Sequence, residues 1–202
     1  MKRLLLFSLL LAWSAAALAQ SSQVATPSSP AVTSNGPVTL DYNAKPAQPS
    51  NPVEANLAKA VRHQLLLLPY YSLFDDLEYS VQGRTVTLSG AVTNFHSQTA
   101  KDAERAVKRI EGVDQVVNNI RVLPPNLADE QVRLRMYRAL SRSGGLSQYL
   151  WQQAPAIRIL VDNQRVTLKG YVNSEGDKNL ANIAAYEVRD VFQVTNDLQV
   201  VK

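Results

Sequence analysis

Side chains that could carry out catalysis are sparse in this chain, and their spacing matches no common catalytic or metal-binding motif. The sequence has no cysteine, and its two histidines are His63 and His96. Neither has a partner at the spacing H-x-x-x-H, which would place two imidazoles on one helix face around a metal. There is also no G-x-S-x-G, no G-x-G-x-x-G and no phosphate-binding P-loop. The sequence therefore predicts a protein that is not an enzyme and that uses no cofactor and no metal.

Two adjacent carboxylates, Asp75 and Asp76, directly precede a predicted strand. A carboxylate pair can serve as general acid and general base when the two groups lie in different environments. Adjacent carboxylates before a strand are most often a solvated turn, so we expect both to be exposed.

Basic residues offer binding chemistry on a predicted helix in the second half of the chain. Arg135, Arg138 and Arg142 share one face of this helix, and a Gly-Gly pair follows it. The segment after the glycines contains apolar and aromatic residues, namely Leu146, Tyr149, Leu150 and Trp151. Arginines beside such residues suit an anionic bilayer, where guanidinium groups pair with phosphates and aromatic rings lie at headgroup depth. The alternative is that Leu146, Leu150 and Trp151 cover the core of the domain.

A second basic face is predicted on a helix in the first half of the chain. It consists of Lys101, Arg105, Lys108 and Arg109. Its alternative interpretation is an ordinary solvated helix face. No aromatic segment obviously accompanies this face. The segment of the first half that matches the aromatic segment of the second, residues 70–76, carries Asp75 and Asp76, which anionic lipid would repel. We therefore expect the arginine face of the second half to be the better lipid-binding candidate.

The N-terminus has the pattern of a secretory signal peptide. Lys2 and Arg3 precede an apolar run from Leu4 to Trp13, and an A-x-A site ends at Ala19. Cleavage after Ala19 would leave a periplasmic chain that begins at Gln20. The apolar run is too short for a transmembrane helix and no second one follows, so no membrane span is predicted. Without Lys2 and Arg3 the formal charge falls to +4 − 2 = +2, which is too weak to indicate nucleic-acid binding.

The rest of the chain divides into a linker and two similar units. Residues 20–51 are rich in Ser, Pro, Thr and Ala, so we expect a disordered linker without regular structure. The first unit is predicted at 52–123 and the second at 126–202, joined near Pro124-Pro125. The strand Val86–Val92, VTLSGAV, recurs as Val166–Val172, VTLKGYV. The order helix, strand, strand, helix, strand occurs twice, which indicates a duplicated domain.

Local residue choices predict how these elements begin, turn and end. Asn51 and Glu54 form a capping-box pattern, and Asn126 and Asp129 repeat this spacing at the next helix. Gly83 and Asn163 are predicted turn residues. The third strand of the first unit is predicted at Val116–Val122. The last helix, from about Glu175 to Arg189, is predicted to bury Leu180, Ile183, Ala184 and Val188.

Two glycines and two asparagines within strand patterns are predicted to have structural roles. Gly90 and Gly170 indicate a close backbone approach, which we expect from a helix lying over the sheet. Asn118 and Asn196 are expected to hydrogen-bond a neighbouring loop.

These motifs resemble the BON domain, a family named for bacterial osmotically induced and nodulation proteins. The pattern V-x-L-x-G-x-V is present at Val86–Val92 and at Val166–Val172. The pattern G-V-x-x-V-x-N, followed by alternating apolar residues, begins at Gly112. The second copy departs from the family pattern, since Asp190 replaces that glycine. The resemblance covers roughly residues 52–202.

The resemblance implies an α+β fold of two tandem BON domains. Each would have the order α-β-β-α-β, with a three-stranded mixed sheet and two helices on one face. It also implies a non-enzymatic periplasmic protein that binds anionic phospholipid and supports envelope integrity under osmotic and other envelope stress. The alternative is a chaperone-like or scaffold module that binds envelope protein partners. Related lipoproteins carry an anchoring cysteine that this sequence lacks, so a soluble member is the closer match.

Overall fold

The computed structural model describes residues 38–39, 51–151 and 155–201. The predicted signal peptide and most of the predicted linker lie outside the described residues. Within the linker, a two-residue strand β1 (Val38–Thr39) pairs antiparallel with a strand of the first repeat. The expected absence of regular structure is therefore wrong for these two residues.

The first repeat follows the predicted order of elements. They are α1 (Pro52–Leu66), β2 (Asp76–Gln82), β3 (Thr85–Val92), α2 (Ser97–Lys108), β4 (Gln115–Asn118) and β5 (Arg121–Val122). Strand β2 runs antiparallel to β3, and β3 runs parallel to β4 and β5, so the sheet is mixed. The predicted third strand is broken between Asn118 and Arg121, so it forms the two short strands β4 and β5.

The second repeat has the same order without the break. Its elements are α3 (Leu127–Arg142), β6 (Ile157–Asp162), β7 (Arg165–Val172), α4 (Glu175–Tyr186) and β8 (Gln193–Val200). Strand β7 is central, antiparallel to β6 and parallel to β8, which gives the expected three-stranded mixed sheet. A short 3-10 turn, Leu146–Tyr149, follows α3.

Each repeat buries its own apolar core between the helices and one face of the sheet. The first core contains the α1 stripe Leu57, Val61 and Leu65 together with inward residues of β2 and β3. The second contains Val132, Met136 and Leu140 of α3 with the inward residues of β6 and β7. The two-residue alternation of burial along the strands is what a sheet with one covered face requires.

The acidic residue three positions after each helix cap binds a hairpin turn. Asn51 and Asn126 cap their helices, as predicted, by accepting the N–H of the second residue after them. Glu54 does not close a capping box, because its Oε1 accepts the N–H of Gly83 in the β2–β3 turn at 2.7 Å. Asp129 in the second repeat accepts the N–H groups of Asn163 and Gln164 at 3.0 and 2.7 Å. The same position thus joins helix and hairpin in both repeats.

Left-handed backbone positions explain several of the glycines. Gly83 and Asn163 have φ of 60° and 51°, as the turn prediction requires. Gly90 has φ of 106°, and a Cβ there would collide with the carbonyl oxygen of Asp76. The close approach predicted at Gly90 therefore comes from the paired strand β2, and the expectation of a covering helix is wrong.

The two strand asparagines tie the second helix of each repeat to the sheet. Asn118 Nδ2 donates to the carbonyl oxygen of Ala100 in α2, and Asn196 Nδ2 donates to that of Lys178 in α4, both at 3.0 Å. Their role is structural, as expected, but the partner is a helix carbonyl rather than a loop.

Helix α4 is rotated relative to the prediction. Its buried residues are Ala181, Ala184 and Ala185, whereas Ile183 is 57% exposed. The expectation that Ile183 is buried is wrong because three alanines, rather than the larger residues, face the sheet.

The segment before β2 joins the two repeats, which belong to one compact unit. Leu73 is buried in the core of the second repeat, and its carbonyl oxygen accepts the N–H of Ile159 at 3.0 Å. Arg158 Nε donates to the Tyr71 hydroxyl at 3.0 Å, and its guanidinium lies 4.8 Å from the centre of the Tyr71 ring. Burial raises the pKa of Tyr71 to about 12, although Arg158 acts in the opposite direction.

Charged residues complete this joint. Lys169 Nζ of β7 lies 2.8 Å from Asp76 Oδ2 and 3.0 Å from Glu78 Oε1, both on β2. Burial raises the pKa of Asp76 despite the ammonium group, while the two carboxylates raise the pKa of Lys169 against the effect of its own burial. Asp75 and Asp76 are both buried, so their expected exposure is wrong.

Candidate anion-binding groove

A groove on the helical side of the second repeat brings together four arginines. It has a volume of about 440 Å³ and is lined by Arg135, Arg138, Ala139 and Arg142 of α3 and by Glu187, Val188 and Arg189 after α4. Three of these arginines are the ones predicted from the sequence. Arg189 and Glu187 were not predicted as site residues, because they join the groove only through the packing of α4 against α3.

The register of α3 sets the direction of the arginines. Val132, Met136 and Leu140 point into the core, so Arg138 and Arg142 are turned to solvent and Arg135 is half-buried. Positions three and four apart on a helix are neighbours, which brings the three guanidinium groups to one side. Such a cluster can bind the oxygens of phosphate groups through paired N–H donors.

One arginine of the groove already has an anionic partner. Arg135 forms an ion pair with Asp190 and also donates to Gln131 Oε1 at 3.2 Å. Arg138, Arg142 and Arg189 have no ion pair with a carboxylate within the described parts of the chain. The groove therefore keeps a concentrated positive charge.

The first repeat lacks this cluster at the equivalent positions. Counting from the two helix caps, Asn51 and Asn126, the counterparts of the three α3 arginines are Ala60, His63 and Leu67. The counterpart of Arg189 is Glu111, which precedes Gly112 as Arg189 precedes Asp190. A groove in the first repeat shares two of these positions, Ala60 and Glu111, and is otherwise lined by Val53, Asn56, Leu57, Arg84 and Gly112. The arginine cluster is thus a property of the second repeat and not of the fold.

Exposed apolar side chains lie within one helical turn of the groove. Leu134 precedes Arg138 by four residues, and Ile183 and Tyr186 of α4 precede Glu187 by four and one. All three are among the exposed large apolar residues, at 49%, 57% and 65%. A surface that combines arginines with exposed Leu, Ile and Tyr has the chemistry of a membrane interface.

The predicted apolar partners of the arginines are mostly in the core. Leu146 and Tyr149 are buried, so the expectation that they contact lipid is wrong. The core-covering alternative holds for Leu146 and Leu150 and is wrong for Trp151. The Tyr149 hydroxyl donates to Asp177 Oδ2 at 2.8 Å and accepts the N–H of Asn173 at 3.0 Å. Burial raises the pKa of Tyr149, so it stays a neutral hydrogen-bonding group. Trp151 is 74% exposed and remains available for binding.

The second basic face is largely neutralised within its own helix. Arg105 forms an ion pair with Asp102, and Lys108 Nζ lies 2.5 Å from Glu104 Oε1. Lys101 is exposed on the same helix, and Arg109 is exposed at its C-terminal cap. Because carboxylates alternate with the basic groups, α2 has the pattern of a solvated helix face.

One polar cluster resembles a catalytic triad in composition but not in geometry. Asp75 Oδ2 accepts the Ser72 hydroxyl at 2.7 Å and lies 2.8 Å from His96 Nδ1. The Ser72 hydroxyl approaches the same nitrogen of His96, at 3.4 Å. A triad needs the serine on one ring nitrogen and the carboxylate on the other. With its hydroxyl proton donated to Asp75, Ser72 is not activated, and the cluster fixes the joint segment instead.

Residues 38–39, 51–151 and 155–201 contain neither a metal-binding cluster nor a membrane-spanning helix. Within these ranges no group of His, Cys, Asp or Glu is placed to hold a metal ion. No helix there has the length and apolar character needed to cross a bilayer.

Comparison with protein families matches the BON domain twice, at residues 54–124 and 128–202. Together the matches cover most of the chain, and the mixed sheets with their helices agree with them. This protein belongs to the BON domain family and carries two tandem copies of the domain. The BON domain is a binding-type domain rather than a catalytic one.

Comparison with curated proteins finds no match. Among solved structures, the C-terminal domain of CdsD, the structural protein of the type III secretion system of Chlamydia trachomatis, is 12% identical with a TM-score of 0.29. That match covers 73% of this chain and 98% of the other. A second CdsD structure from the same organism is 13% identical with a TM-score of 0.28, covering 72% and 92%. Similarity at this level carries no argument about function.

Proposed function

We propose that this protein binds anionic phospholipid headgroups at a membrane surface of the bacterial envelope through the arginine groove of its second repeat. The observation that carries the proposal is the cluster of four arginines around one groove, which the first repeat lacks. In this proposal the exposed side chains of Leu134, Ile183 and Tyr186 insert among the lipid headgroups and add apolar contact.

The electrostatic contribution to membrane binding can be estimated from the number of arginines. Each basic residue near an anionic membrane contributes about 1 kcal/mol. Removing three of them should cost about 3 kcal/mol, or roughly a hundredfold in affinity. The role of the bound protein in this proposal is non-enzymatic support of envelope integrity under stress, from a periplasmic location after removal of residues 1–19.

Vesicle co-sedimentation tests the proposal directly. The triple variant Arg135/Arg138/Arg142→Gln is compared with the matched triple variant Lys101/Arg105/Arg109→Gln on the second basic face, after folding is verified by circular dichroism. We expect the first to lose roughly a hundredfold in affinity for phosphatidylglycerol vesicles and the second to lose far less. Equal losses would reduce the effect to net charge and remove the case for this groove.

A second candidate function, the holding of extended protein segments, is favoured by a different observation. In each repeat the outer edge of the first strand pairs with a segment from outside that repeat. Val38 pairs with Tyr79, and Ile159, the counterpart of Tyr79, donates to the carbonyl of Leu73. Strand addition of this kind is a common mode of peptide recognition. Because it relies on backbone hydrogen bonds, it should persist when salt weakens binding through arginines.

A further inference from the structure

In this structure Asp190 binds one of the arginines of the groove. Its carboxylate forms an ion pair with Arg135, and the Arg135 guanidinium also approaches the carbonyl oxygen of Arg189 at 3.4 Å. The chain therefore supplies its own anion at the place where a phosphate group would be bound.

The backbone does not require an aspartate at this position. Asp190 has φ of 63°, in the left-handed region, and the first repeat has Gly112 there with φ of 95°. Glycine adopts this conformation most readily, and aspartate is tolerated. The contact that distinguishes Asp190 from its glycine counterpart is the ion pair with Arg135.

The ion pair is weak enough to be displaced. The side chains of Arg135 and Asp190 are 38% and 62% exposed. An exposed pair of this kind shifts an equilibrium by up to about fivefold. A phosphate group that bonds a guanidinium through two oxygens competes successfully with it, particularly when Arg138, Arg142 and Arg189 bind the same ligand.

We infer that Asp190 is a built-in competitor that occupies Arg135 in the empty groove and is displaced by the phosphate group of a bound ligand. This inference rests on the proposed function. It makes Asp190 a residue that sets affinity and specificity, because a ligand must bring net negative charge to replace the lost carboxylate. Zwitterionic headgroups, whose phosphate is neutralised by their own cation, displace it poorly.

The test removes the carboxylate and keeps the backbone conformation. Asp190→Asn is compared with Asp114→Asn, which removes the same charge from another exposed pair, Arg84–Asp114 at 2.8 Å in the first repeat. With vesicles of mixed phosphatidylglycerol and phosphatidylcholine, we expect Asp190→Asn to bind up to about fivefold more tightly. Asp114→Asn should change affinity much less, as a measure of net charge alone.

A double variant shows whether the gain passes through Arg135. In the Arg135→Gln background, the added change Asp190→Asn should give no further gain, since there is no guanidinium to release. A gain that persists in this background overturns the inference, and so does an equal gain in Asp114→Asn.

Tripolyphosphate, titrated by calorimetry, separates a free phosphate ligand from a lipid headgroup. If the unmodified protein does not bind vesicles, the proposed lipid function fails. The comparison of Asp190→Asn with Asp114→Asn on tripolyphosphate then decides the role of Asp190 by itself. Binding of neither probe by any variant overturns both.

Discussion

The joint between the repeats makes a quantitative prediction about Lys169. Its Nζ is 2.8 Å from Asp76 Oδ2, and Asp76 is only 1% exposed, so the carboxylate depends on this ammonium group for its charge balance. Lys169→Met keeps most of the aliphatic stem but leaves a buried carboxylate without its partner. Breaking a buried pair in this way costs about 3–5 kcal/mol. Because Lys169 is 31% exposed, we expect the lower end, about 3 kcal/mol.

The pH dependence identifies the orphaned carboxylate as the cause. Burial already raises the pKa of Asp76 in the native protein, and loss of Lys169 raises it further. A carboxyl whose folded pKa is raised destabilises the fold when it is ionised. This penalty begins to shrink as pH falls below the folded pKa and is gone below the unfolded value of about 3.9. The deficit of Lys169→Met should therefore be largest at pH 7 and should shrink at about pH 4–5, towards the ordinary aspartate value.

In the unmodified protein, the contribution of Lys169 to stability should be lost at high pH. The pKa of Lys169 is raised in the folded state by Asp76 and Glu78, against its burial. Its stabilising contribution is therefore fully present below the unfolded value of about 10.4 and is lost as pH rises through the folded value.

Thermal and urea unfolding, followed by circular dichroism at pH 7 and pH 4.5, measure these effects. A loss of about 3 kcal/mol in a unit of this size should lower Tm by roughly 6–12 °C. The double variant Lys169→Met/Asp76→Asn should recover part of the loss, and Lys101→Met, an exposed lysine on α2, should stay within about 0.5 kcal/mol of the unmodified protein. A deficit that is the same at both pH values, or that Asp76→Asn leaves unchanged, would refute the explanation.

Two further predictions concern packing. Leu73→Ala should lower the free energy of unfolding by about 2–5 kcal/mol, since Leu73 is buried in the core of the second repeat. Hydrogen-exchange protection should fall in β6 of that repeat. A loss of protection in β2 alone would contradict this placement of Leu73. Gly90→Ala should lower the free energy of unfolding by about 1–3 kcal/mol. The added Cβ would collide with the carbonyl oxygen of Asp76, and the positive φ of Gly90 is one that residues with side chains rarely adopt. Gly83→Asn is the control, since Gly83 also has positive φ but open space around it, and an equal loss of Tm in both variants would show that crowding is not the cause.

Local residue chemistry was sufficient to predict the order of elements and several of their ends. Asparagines cap α1 and α3, and Gly83 and Asn163 turn the hairpins. These features depend on neighbours within a few residues, so a linear pattern contains them. The family resemblance was confirmed for the same reason, since its motifs combine strand alternation with turn and cap residues.

Contacts between distant segments could not be predicted in this way. Asp76 is buried because Lys169, 93 positions further along the chain, lies against it, and no local pattern distinguishes it from a solvated turn residue. Asp129 looks like part of a capping box, and only the folded hairpin supplies the N–H groups that it accepts.

The candidate site likewise has features that the sequence predicts and features that only tertiary packing decides. The sequence by itself determined that Arg135, Arg138 and Arg142 share a helix face, because that follows from helical periodicity. It could not determine the rotation of α4, since an arc with Ile183 and an arc of alanines both have helical spacing. Only tertiary packing, which places the small alanines against the sheet, exposes Ile183 and brings Glu187 and Arg189 to the arginines. Tertiary packing likewise buries Leu146 and Tyr149, because both fill the core of the second repeat. The local sequence after α3 does not show that these side chains belong to the core.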